Sequence, residues 1–74
     1  MENAYRERYR MLGLNVAYYR KKRGFSQEKL AELCDISRTH MSRIETAECA
    51  VSLDVVFRLA DALSVKTEQL FEDR

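Results

Sequence analysis

An all-α domain of five short helices is what this sequence predicts, on three observations. Apolar residues recur at helical spacing along successive stretches of the chain. Serine stands directly before three of those stretches, where a helix start needs a side-chain acceptor. The 74 residues include two glycines and no proline, so nothing in the composition interrupts a helical pattern except at one clear stop. With 46% apolar and 34% charged residues the chain has the make-up of a globular domain, and its length allows one compact domain over residues 1–74.

The first helix is announced by Tyr5, Tyr9, Leu12, Val16 and Tyr19, at steps of four, three, four and three. It should stop at Gly24, after the run Arg20-Lys21-Lys22-Arg23, whose cations suit the negative end of a helix dipole. Ser26 then caps a short second helix over Gln27 to Leu33, with Phe25 placed to staple against Leu30. That helix buries Leu30, Ala31 and Cys34. Asp35 follows, a residue that tolerates a left-handed turn, and Ile36 plugs the turn from inside.

Ser37 caps a third helix in which Met41 and Ile44 face inward while Arg38, Thr39, Ser42 and Arg43 face out. Thr46 to Val51 has no period and reads as a loop. Ser52 caps a fourth helix whose Leu53, Val56, Leu59, Ala60 and Leu63 form a core stripe. Ser64-Val65 breaks that pattern, and Thr67 to Phe71 is long enough for a fifth helix carrying Leu70 and Phe71 inward.

Composition also excludes several functions. The longest uncharged stretches, Met11 to Tyr19 and Cys49 to Leu53, fall far short of the ~20 apolar residues that span a bilayer. The opening Met1-Glu2-Asn3-Ala4-Tyr5-Arg6 is polar and lacks a secretory pattern, so a cytoplasmic location is expected. Two cysteines and one histidine suffice for neither a disulfide scaffold nor a four-ligand zinc site, and no cofactor is implied. No glycine-rich phosphate loop and no paired nucleophile and base are present, which argues against an enzyme. The net charge of +1 conceals a gradient. Residues 1–23 carry seven basic against two acidic groups, net +5, residues 24–45 are net −1, and residues 46–74 are net −3. A basic end on an otherwise acidic chain fits a molecule that turns one face to a polyanion.

The most informative unit lies between Ser26 and Glu45: a capped seven-residue helix, a tight turn with an apolar plug, and a second capped helix with a polar, donor-rich face. That is the grammar of a helix-turn-helix, in which the first helix crosses the DNA backbone and props the second in the major groove.

At these residues the chain resembles a known family. Leu12-Gly13, Gly24-Phe25-Ser26-Gln27-Glu28-Lys29-Leu30-Ala31, Ile36-Ser37-Arg38, Ser42-Arg43-Ile44-Glu45, and Ser52-Leu53 through Leu63-Ser64-Val65 are similar in order and spacing to the phage-repressor/Cro-like helix-turn-helix regulators. The resemblance covers about Leu12 to Phe71. It implies a compact five-helix, lambda-repressor-like domain, sequence-specific binding of double-stranded DNA, a repressor role, and a homodimer on a palindromic operator. By the same resemblance Arg38, Thr39 and Arg43 contact bases, and arginine to guanine or threonine to thymine are pairings the groove admits. Gln27 binds a phosphate and braces the reading helix, Ser37, His40, Ser42 and Thr46 are further backbone contacts, and Arg20 with Glu45 forms a structural ion pair. No small-molecule ligand and no membrane partner is implied.

Two departures stand out. Where the family often carries a glycine and basic residues after its third helix, this chain has Thr46-Ala47-Glu48-Cys49-Ala50. Glu48 repels DNA, which leaves loop amides, Thr46 and the basic residues of the first helix to meet the phosphates. Lys66 also stands where the family usually has a capping residue. A protein-interaction module reusing the fold is the competing reading, motivated by the acidic second half. For assembly, the fourth helix and Leu70 to Arg74 are the expected contact, with Met11, Leu14 and Tyr18 as a second candidate stripe and Val55 and Phe57 at the edges of the fourth helix.

Overall fold

A computed structural model describes residues 4–73. Four α-helices and one 3-10 helix follow in order: α1 (Arg6–Lys22), α2 (Gln27–Leu33), α3 (Arg38–Glu45), α4 (Leu53–Leu63) and the 3-10 helix Thr67–Phe71. No strand occurs among the described residues.

The three serines act as read from the sequence. Ser26 Oγ accepts from the Lys29 amide at 3.0 Å, Ser37 Oγ from the His40 amide at 3.0 Å, and Ser52 Oγ from the Val55 amide at 3.2 Å. Each satisfies a donor that the first helical turn leaves unpaired.

All four α-helices stop by the same device. A residue with positive φ follows the last turn, and its own amide and the next one fold back onto the helix: Gly24 to Lys21 O and Phe25 to Arg20 O, Asp35 to Glu32 O and Ile36 to Ala31 O, Ala47 to Ile44 O and Glu48 to Arg43 O, Ser64 to Asp61 O and Val65 to Ala60 O. This is the Schellman arrangement, which usually places glycine at the left-handed position. Here only Gly24 is glycine; Asp35, Ala47 and Ser64 carry side chains there, a conformation disfavoured by about 1 kcal/mol or more. Phe25, Ile36 and Val65, the residues just beyond, pack against the core and hold three of the turns down.

The core joins all five elements. Leu12 and Val16 of α1, Leu30 of α2, Met41 and Ile44 of α3, Leu59 and Leu63 of α4, and Leu70 are at most 2% exposed. Burying a side chain of this size contributes ~1.5–3 kcal/mol. One polar side chain joins them. Asn15 is 1% exposed, and its Nδ2 donates to Leu70 O at 2.9 Å and Glu72 O at 2.8 Å.

Several expectations need correction. The fifth helix is a 3-10 helix, because Lys66 offers no side-chain acceptor for a cap and Asn15 draws the carbonyls of Leu70 and Glu72 toward α1. Only the Gln69 side chain helps its start, accepting from the Lys66 amide at 2.8 Å. Tyr5, Leu53 and Phe71, read as inward, are 56%, 67% and 42% exposed, and Val55, read as an edge residue, is buried. Tyr5 and Leu53 fail for the same reason: each sits at a helix start, beyond the reach of the opposing helices. Phe71 closes the short 3-10 helix and turns outward while Leu70 turns in. All three line one open apolar groove with Tyr9, Met11 and Val56. Arg74, part of the expected C-terminal contact, lies outside the described residues.

Candidate nucleic-acid interface

Because Met41 and Ile44 point into the core at 0% and 1% exposure, helical geometry turns the other side of α3 to solvent. Arg38, Thr39 and Arg43 are exposed there, and Ser42 and His40 are half-buried beside them. Among the described residues Arg38 and Arg43 make no ion pair or side-chain hydrogen bond. Positions 38, 39, 42 and 43 share one helix face. Its donors are therefore available to a ligand. Ser37, at the start of that face, uses one oxygen lone pair for the cap and keeps its hydroxyl proton.

The opposite end of α3 is fixed from three directions. Glu45 accepts from Arg20 Nε at 2.6 Å and Nη2 at 3.1 Å, and from Gln27 Nε2 at 3.0 Å. Arg20 Nη1 also donates to Phe25 O at 2.9 Å. The last turn of α1, the first residue of α2 and the last residue of α3 are thereby tied at one point. The side chains of Arg20 and Glu45 are only 13% and 6% exposed, so the two-pronged geometry and the third donor matter: a buried pair with unsatisfied oxygens would destabilise the fold.

Gly13 completes the joint. A Cβ at this position would lie 2.5 Å from Ile44 O and 2.7 Å from Glu45 O, closer than any carbon can sit. The absence of a side chain lets α1 cross directly on the C-terminal end of α3. The sequence showed Gly13 only as part of a short motif; its role depends on a neighbour more than thirty positions away. Asn15 was invisible for the same reason. Two further arginines, both exposed, fold over helix ends and cap them: Arg23 donates to Leu63 O at 2.8 Å and Ser64 O at 3.3 Å, and Arg58 to Cys34 O at 3.2 Å.

Beyond α3, the Thr46 hydroxyl lies 2.6 Å from Glu48 Oε2 and 3.0 Å from Ser42 O, so Glu48 is held against the turn. Cys34 and Cys49 are free thiols, and burial pushes both above the ordinary thiol value despite the opposing pull of Arg58 on Cys34 and of Arg43 on Cys49. Among the described residues no group of three or more His, Cys, Asp and Glu side chains could hold a metal ion, and no helix is long and apolar enough to cross a membrane.

Comparison with known proteins agrees with this geometry. A profile of the Helix-turn-helix family (HTH_3) matches residues 16–70. The control protein C.BamHI of Bacillus amyloliquefaciens is 43% identical over 51 residues, covering 69% of this chain and 63% of that protein. A hypothetical transcription factor of Neisseria meningitidis serogroup B is 35% identical over 60 residues, covering 81% of this chain and 57% of that protein. The chain thus spans less than two thirds of the length of either relative. The crystal structure of the restriction-modification controller protein C.AhdI from Aeromonas hydrophila superposes with a TM-score of 0.87 at 29% identity, covering 93% of this chain and 100% of that one. With a braced pair of helices at its centre and the family profile running over most of its length, the chain belongs to the Helix-turn-helix family of transcription regulators, which are not enzymes.

Proposed function

We propose that the protein binds double-stranded DNA sequence-specifically, reading the major groove with the outer face of α3. One observation carries this: Arg38, Thr39 and Arg43 make no side-chain hydrogen bond or ion pair among the described residues, on a helix whose inner face and far end are both fixed. A groove wide enough for one helix demands such a face, and rigidity behind it turns hydrogen bonds into base discrimination. Arg38 and Arg43 contact guanine edges or their neighbours, and Thr39 a thymine methyl or base acceptor. Gln27, Ser37, His40, Ser42 and Thr46 hold phosphates on either side, Gln27 while keeping its bond to Glu45.

The working unit is a homodimer on a palindromic operator. Tyr5, Leu53 and Phe71 have the spacing of buried residues yet remain exposed together along one groove, which a second copy would cover. The contact we propose lies at the start of α4 and the C-terminal turn, with the N-terminal turn of α1 beside it. The two reading helices would then enter successive major grooves about 34 Å apart. Occupancy of such a site excludes competing proteins, and we assign the protein as a cytoplasmic repressor on that ground.

Selection of duplexes from a random pool at two salt concentrations tests the reading, followed by sedimentation on the enriched site. The expected result is an enriched, two-fold symmetric sequence holding two protein chains. Recovery of no preferred sequence would overturn it in favour of a protein-interaction module, and one chain per duplex at saturation would overturn the dimer.

A further inference from the structure

Resting on the DNA-binding reading above, we infer that Arg6 and Arg10 form a phosphate-binding patch with the turn after α3, replacing the basic residues that the loop Thr46 to Val51 lacks. The crossing at Gly13 places the preceding turns of α1 beside the C-terminal end of α3. Arg10 lies about one turn before Gly13 and Arg6 one turn before that, on the same helix face. Together with Leu14, Glu45, Thr46 and Ala47 they line one recess of about 190 Å³. Glu45 does not neutralise them, since its oxygens are taken by Arg20 and Gln27.

Among the described residues Arg6 and Arg10 make no ion pair and no side-chain hydrogen bond, whereas the other arginines of α1 and the one that follows it are engaged: Arg8 lies over the Tyr5 ring, Arg20 binds Glu45, and Arg23 binds Leu63 O and Ser64 O. Two guanidinium groups without protein partners in one recess suit a phosphate, whose oxygens accept from both. Location favours the same ligand. Arg38 and Thr39 occupy the N-terminal end of α3 and the recess its C-terminal end, so a duplex seated on α3 brings a backbone strand past the recess. There the negative end of the helix dipole and Glu48 would otherwise repel it.

The test compares the wild-type chain, Arg6→Gln/Arg10→Gln, and Lys22→Gln/Lys66→Gln, which changes net charge equally without touching the recess or the groove. Each is titrated onto the selected duplex between about 50 and 200 mM salt, a range over which phosphate contacts dominate the change in affinity. At ~0.9 per neutralised phosphate, losing one phosphate from each of the two recesses of a bound dimer should lower the salt slope by about 1.8 and weaken binding at least roughly tenfold at low salt, with base preference unchanged. The control pair should keep the wild-type slope to within about half a unit. A wild-type slope in the recess variant, or an equal fall in the control pair, overturns the inference while leaving the DNA-binding reading intact. Failure of the wild-type chain to bind any duplex overturns that reading and this inference with it.

Discussion

At the inner end of α3, Arg20 is held by both oxygens of Glu45 and by Phe25 O, and at the outer face Arg38 and Arg43 make no ion pair or side-chain hydrogen bond among the described residues. The residue type is the same, the surroundings opposite. Largely desolvated and bonded through all three nitrogens, the first arginine fixes the orientation of a helix; the others, exposed, keep their donors for something outside. Charge along the sequence does not separate the two. The basic excess of residues 1–23 includes Arg20 and Arg23, both committed to the protein's own acceptors. The capacity to meet a polyanion therefore rests on fewer groups than a count of charges suggests.

Breaking the inner end should have the largest consequence. Arg20→Ala leaves Glu45, 6% exposed in its side chain, with Gln27 as its one remaining partner, and should lower stability by about 3 kcal/mol in chemical denaturation. Arg20→Ala/Glu45→Ala should recover part of that loss, since the stranded charge is gone. A single variant as stable as wild type would show that the joint is ornamental.

Gly13→Ala comes next. Alanine is the better helix former by about 1 kcal/mol, so propensity alone predicts a gain. Overlap with Ile44 O and Glu45 O forces the helices apart, and a net loss of about 2 kcal/mol is expected, with weaker DNA binding because α3 shifts on its support. A stabilised variant would mean that α1 and α3 do not approach this closely in solution.

The smallest effect should have the opposite sign. Ser64 is exposed with φ 57°, in the position where a glycine would ordinarily close the helix, so Ser64→Gly should raise stability by about 0.5–1 kcal/mol. Thermal unfolding should move up by roughly 2–8 °C. Ala47→Gly should gain less, because the Ala47 methyl is buried at 3% exposure and its loss offsets the relief. Equal gains at both positions would contradict this account of the turns.

Helix boundaries were legible in the sequence because each rests on a local signal. Ser26, Ser37 and Ser52 mark three starts, and Gly24 and Asp35 two stops, through chemistry confined to a few neighbouring residues. Periodicity likewise separated the inner from the outer face of α3. It failed at Tyr5 and Leu53, since a stripe tells which way a side chain points and not whether anything lies opposite it. Gly13 and Asn15 were missed because their partners lie far along the chain: Asn15 interrupts an apolar stripe to reach a carbonyl 55 positions away. The 3-10 geometry of Thr67–Phe71 follows from the same contact and could not be read from that segment alone.

The central claim is that the two faces of α3 are separable, one fixing the helix and the other reading bases. It is tested most directly by measuring affinity for the selected duplex, affinity for an unrelated duplex, and thermal stability, in Arg38→Ala and Arg43→Ala. The account predicts a loss of ~1–3 kcal/mol on the selected duplex for each variant, a smaller loss on the unrelated one, and an unfolding temperature equal to wild type. Wild-type affinity for the selected duplex in both variants would contradict it, and would mean that the free arginines of α3 face something other than the bases.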